Sequence, residues 1–124
     1  MDRAMSRSDI ADVLRQWQAG LLTAEQVHAW AEELYFPGSL DFDDYEGDEE
    51  NSVANEVMSC LDMLNMKLIV VEDVPIYLEF LETPKGQFVD GYRKFENALS
   101  LIDYQERCRR LAQNPLYALF CKRK

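Results

Sequence analysis

Between Gln16 and Met66 the chain has no lysine or arginine. That half therefore lacks the cations that grip phosphate. Histidine occurs once, as His28, and the three cysteines, Cys60, Cys108 and Cys121, are odd in number, widely spaced and without a C-x-x-C pair. Such scarcity argues against the common zinc sites and against redox chemistry. Cys60 falls in an apolar helical stretch and reads as a small buried hydrophobe. A Gly-rich phosphate loop is also missing. The longest apolar run, Leu116 to Cys121, is far short of the ~20 residues a membrane helix requires, and the Met1-Asp-Arg-Ala start carries no apolar signal region. The expectation is a soluble, cytoplasmic chain with no cofactor, no bound metal and no membrane contact.

What is present describes a folding sequence. The chain has 124 residues, of which 48% are hydrophobic, and its net charge is −10. This length and apolar fraction exclude global disorder and suit one domain spanning residues 1–124 without disulfides. Ile10, Val13, Leu14 and Trp17 share one helical face, Ser6 or Ser8 caps its start, and Gly20 ends it, so a first helix is expected over about residues 9–19. Thr23 and Gln26 form a T-x-x-Q capping box for a second helix, with Leu22 and Val27 as its hydrophobic staple and Val27, Trp30, Ala31 and Leu34 as its stripe. Pro37-Gly38 closes this antiparallel pair.

Asn51-Ser52 then caps a third helix, whose buried face is Ala54, Val57, Met58, Leu61 and Leu64. Leu68 to Val71 fits a short strand or a buried connector. The connector is preferred because one strand would have no partner. Asp73 and Pro75 open a fourth helix carrying Val74, Tyr77, Leu78 and Leu81. Phe88, Tyr92, Phe95 and Leu99 mark a fifth, and Tyr104, Cys108 and Leu111 a further one, on which Asp103 and Arg107 are spaced as a surface ion pair. A last short helix is expected within residues 115–121. The fold expected is an all-α bundle of five or six helices with an acidic loop between the second and third. Trp17, Val27, Trp30, Leu61, Tyr77, Leu81 and Phe95 belong to its core.

Charge is distributed by region. Twelve acids and no bases lie in residues 16–66, whereas residues 104–124 carry six bases against Glu106. Seven of the acids crowd residues 41–50 as Asp41, Asp43, Asp44, Glu46, Asp48, Glu49 and Glu50, with Phe42 and Tyr45 between them as apolar anchors. A basic protein surface is the natural partner for such a segment, and nucleic acid is not. The competing reading is a solvated loop. Calcium fits poorly: counted from Asp41, an EF-hand loop would place Tyr45 at a ligand position, Gly47 one residue late and Ser52 where a glutamate belongs.

His28, with Glu25 and Glu32 at −3 and +4, has the local pattern of an oriented base but no serine or cysteine nearby in sequence as nucleophile, so a boundary residue is the better reading. Arg107, Arg109 and Arg110 suggest phosphate contact, which the overall charge and the lack of a recognisable binding motif oppose. No enzyme is read from these residues.

Trp17-Gln-Ala-Gly20, Leu22-Thr-Ala-Glu-Gln26 with its aromatic second helix, Val71-Glu-Asp-Val-Pro-Ile-Tyr-Leu-Glu-Phe-Leu-Glu-Thr83 and the Asp103-x-x-x-Arg107 helix together resemble small acidic bacterial immunity proteins. These are the partners of colicins and contact-dependent growth-inhibition toxins. The resemblance implies inhibition by direct binding, with carboxylates occupying or flanking the cationic cleft of a toxin domain such as a nuclease. An acidic adaptor or nucleic-acid mimic that inhibits another basic, DNA-binding protein is the alternative.

Overall fold

Ser6 begins the first helix as the capping rules require. Its hydroxyl accepts from the Asp9 N–H at 3.1 Å, and the Asp9 carboxylate accepts in return from the Ser6 N–H. The computed structural model describes residues 5–35, 42, 44, 45 and 51–121. Helix α1 runs over Arg7–Gln18 and ends in a Schellman motif: Gly20 sits at φ +83°, Leu21 N–H donates to Gln16 O and Gly20 N–H to Trp17 O. Thr23 and Gln26 form their reciprocal box, and α2 follows over Ala24–Leu34. Ser52 caps α3, Val53–Asp62, through the Asn55 N–H. A 3₁₀ turn at Val71–Asp73 leads into α4, Val74–Leu81, with Pro75 in its first turn. Then come α5 (Phe88–Ser100), α6 (Tyr104–Leu111) and α7 (Ala118–Cys121).

The fold is all-α. Seven α-helices stand among the described residues where five or six were expected, and no strand is present there beyond an isolated parallel bridge between Met5 and Phe42. Helix α2 packs on α3, α1 on both α3 and α4, and α5 on α4. The expected stripes supply one continuous core, in which Ile10, Leu14, Val27, Val57, Met58, Leu61 and Leu64 are fully buried. Trp17, Tyr77, Leu81 and Phe95 are buried as expected, whereas Trp30 is only half-buried and packs against the core from its edge.

Aromatic rings fill the α4/α5 contact. Phe80 stacks on Phe95 at 4.3 Å between centroids, and Tyr77 meets Phe95 edge-on at 5.1 Å. Gly91 lets these helices close. A Cβ there would lie 2.3 Å from the Thr83 hydroxyl oxygen, so only glycine fits that approach.

Residues 68–70 form a buried connector, as preferred over a strand, with Leu68 in the left-handed region at φ +57°. Without a sheet its carbonyls need other partners. The Tyr117 hydroxyl donates to Ile69 O at 2.5 Å and Arg107 Nη1 to Leu68 O at 3.1 Å. Arg107 also holds Asp73 through two parallel bonds of 2.8 and 2.9 Å, and Asp73 accepts the Val70 N–H as well. The surface pair expected between Asp103 and Arg107 is therefore not the one formed. Arg107 points inward at 7% exposure, while Asp103 caps α6 through the Glu106 N–H. A fork-shaped cation that meets both a carboxylate and an otherwise unpaired carbonyl gains more inside than from a solvated neighbour.

Arg107→Ala should therefore cost about 3–5 kcal/mol in urea denaturation, because it leaves the buried Asp73 charge uncompensated. Asp103→Ala should cost only the ~1 kcal/mol of a lost cap. Equal costs would show that the Asp73 pair is not what holds α6.

Candidate acidic interface

Of the nine residues expected to meet a partner, the described ones are Phe42, Asp44 and Tyr45, and they do three different things. Asp44 is 1% exposed. One of its oxygens accepts the Ser52 hydroxyl, and the other accepts Arg7 Nε at 2.7 Å and the Ala54 N–H at 3.1 Å. Arg7 extends the network, donating from Nη1 to the Leu81 and Thr83 carbonyls. Thus Asp44 joins the starts of α1 and α3 and, through Arg7, the end of α4.

Phe42 is buried at 5% exposure and touches the Tyr45 ring edge-on at 6.1 Å. Only Tyr45, at 43% exposure, offers a side chain to the surface. Asp41, Asp43, Glu46, Asp48, Glu49 and Glu50 lie outside the described residues. The expected anchoring role at Phe42 and the expected charge contact at Asp44 are thus met by the protein's own interior in this structure. Nothing in sequence spacing foretold this for Asp44, because its partners Arg7 and Ser52 are 37 and 8 residues away.

Burial alone would push the Asp44 carboxyl up. The hydrogen bonds from Ser52, Arg7 and the Ala54 N–H, together with the Arg7 charge, outweigh that and hold it below the usual aspartate range.

The end of α2 is tied to this region as well. Tyr35, just after α2, donates its hydroxyl to Asn55 Oδ1 at 3.0 Å, which fastens the end of α2 to the first turn of α3 where Asp44 is bound. Helix α2 buries Val27, His28 and Ala31 and leaves Glu25, Glu32 and Glu33 exposed. The Glu32 carboxylate reaches back to His28, which bonds the far end of α3, so the exposed acids of α2 lie along its outer face rather than at the Asp44 junction.

His28 serves packing. Its Nε2 lies 3.0 Å from the Asp62 carbonyl, which can only accept, so Nε2 carries the proton and ties α2 to α3. The Glu32 carboxylate stands 3.6 Å from the same nitrogen. An Nε2 engaged in this way is not placed as a base.

A second acidic feature escaped the sequence reading. A cleft of about 260 Å³ is lined by Glu56, Lys67, Tyr92, Glu96 and Tyr104, with Cys60 and Tyr77 at its floor. Burial and the neighbouring Glu96 raise the Glu56 pKa, with Lys67 opposing. Glu56 and Glu96 belong to the outward edges of two different helices, and no sequence pattern pairs them.

Among the described residues no group of histidine, cysteine, aspartate and glutamate is arranged to hold a metal ion, and no helix is long and apolar enough to cross a membrane. No family model, curated protein or solved structure matches the chain.

Two pH effects of opposite sign are expected. The stability that Asp44 contributes is present above its unfolded pKa of about 4 and is lost as pH falls through the lower folded value, so Asp44→Asn should flatten the acid limb of a Tm-against-pH curve. Glu56, with its folded pKa raised, favours the fold most when protonated. Its contribution is present at low pH and lost as pH rises through the folded pKa. Glu56→Gln should accordingly raise Tm at pH 7, with the gain vanishing below about pH 4. A Glu56→Gln gain that persists in acid would assign it to packing instead.

Proposed function

We propose that this chain is a non-enzymatic acidic binding module, acting as an immunity protein that neutralises a bacterial toxin by direct contact. The observation that carries the reading is the outer face of α2, where Glu25, Glu32 and Glu33 are exposed, together with the exposed Tyr45 ring and the acidic composition of residues 41–50, which is the extreme of the sequence. Basic side chains are absent from residues 16–66, so a cationic partner meets no opposing charge from that stretch. Long-range attraction then speeds encounter, and the tyrosine supplies contact area that slows departure. On a nuclease toxin, the carboxylates would take the place of substrate phosphates in the cationic cleft and present no bond to cut.

The test uses the toxin domain encoded beside the gene, with association and dissociation followed by stopped flow at low and physiological salt. Replacing Glu32, Glu33, Glu46, Asp48, Glu49 and Glu50 with their amides should slow association by ~10-fold or more at low salt and flatten its salt dependence, with Tm unchanged. Tyr45→Ala should mainly speed dissociation. Rates unaltered by every one of these changes would return the acidic region to a solubilising role. Failure to bind the neighbouring toxin at all would overturn the immunity reading.

A further inference from the structure

We propose that Cys108 and Cys121 form an oxidisable dithiol, a modification site at which a low-molecular-weight disulfide closes a covalent bridge between α6 and α7. The two residues are widely separated in sequence, which is why the cysteine spacing gave no sign of a pair. The fold brings them together. Asn114 N–H donates to Leu111 O, and Asn114 O in turn accepts from Tyr117 and Ala118 N–H, so the chain folds back and α7 returns against α6. Both cysteines line one open cleft of about 380 Å³, with Gln105, Arg109 and Ala112 as its other walls, on two helices that pack against each other. Neither is in a disulfide in this structure.

Their environments assign the order of events. Cys108 is half-buried and opens to the cleft, whereas Cys121 is 7% exposed. Burial and the adjacent Cys108 thiol push the Cys121 pKa up to about 11, which suits a second, resolving role better than first attack. The Cys108 thiolate attacks one sulfur of the small disulfide and forms a mixed disulfide, releasing the first small thiolate. Cys121, losing its proton to solvent, then attacks Cys108 Sγ and expels the second. The protein dithiol is oxidised by two electrons, and one small disulfide is reduced to two thiols. Cys60 takes no part. It lies on α3 at 5% exposure, beside Tyr77 in the lining of a different cleft.

The bridge would act on the part of the fold that holds the connector. Tyr117, whose hydroxyl reaches Ile69 O, lies inside the closed loop, and Arg107 immediately precedes it. Closing the loop 108–121 restricts the unfolded chain and fastens α7, with its tyrosine, to the helix that carries Arg107.

Treatment of the full native chain with glutathione disulfide, followed by alkylation and mass mapping, tests this directly. The expected product has lost two hydrogens, carries one alkylated cysteine at Cys60 and yields a Cys108–Cys121 cross-linked peptide. Its Tm should rise by about 5–10 °C and return on reduction. Cys121→Ser should instead accumulate glutathione on Cys108, and Cys108→Ser/Cys121→Ser should show no oxidant-dependent Tm shift. A wild-type chain that keeps glutathione on Cys108, or that forms cross-linked dimers, would overturn the proposal. So would a native chain that stays unreacted while its unfolded form is oxidised.

Discussion

A buried carboxylate has to be saturated with donors or it destabilises the fold, and Asp44 is the point where that requirement organises this molecule. Four groups from three chain segments converge on or through it: the Ser52 hydroxyl, the Ala54 N–H, the Arg7 guanidinium and, by way of Arg7, the carbonyls that end α4. Arg7 comes from outside the base-free stretch of residues 16–66, and its use here neutralises one acid of the crowded segment from within. The segment is thereby fixed at one carboxylate and one phenyl ring, and the entry to α3 is set by the same contacts.

The Asp73–Arg107 pair repeats the device at the opposite end of α3. In both places an irregular stretch of backbone lies against the core without a sheet to satisfy it, and an arginine supplies what strand neighbours would have supplied. Each arginine bonds a carboxylate and at least one main-chain carbonyl. Each also retains one buried nitrogen without a partner among the described residues, Arg7 Nη2 and Arg107 Nε. The unmet donors are a cost of using a branched cation where geometry allows only some of its five N–H groups to find acceptors.

Local chemistry was legible in the sequence and long-range polar chemistry was not. Ser6, Thr23 and Ser52 act within three residues of themselves, and Gly20 obeys a rule about a single φ angle, so spacing alone placed the caps of the second and third helices and the end of the first, whose start at Arg7 lies two residues before the one expected. The apolar stripes of α1, α3 and α4 follow from helical geometry in the same way. Arg107 failed the local reading because an i,i+4 carboxylate is a weak attractor when a buried one is within reach of the fold. Phe42 and Asp44 failed it because composition marked the whole of residues 41–50 as one polar surface, although burial is decided residue by residue. The cysteines failed it for a related reason: a turn at Asn114 turned two distant positions into neighbours, and only the path of the backbone contains that fact.

On the functional reading proposed above, the same division separates two kinds of acid. Asp44 and Asp73 are locked by directional bonds, and changing either would disturb the fold before it disturbed any partner. Glu25, Glu32 and Glu33 project from a helix whose opposite face is committed to the core, and exposed charges of this kind add little to folding stability. Their number and placement are therefore under little constraint from the fold itself. Long-range attraction depends on the sum of charge over a surface rather than on the exact position of any one group. A scaffold pinned from within by two buried pairs can vary its outer carboxylates to suit one cationic partner without re-solving its own packing.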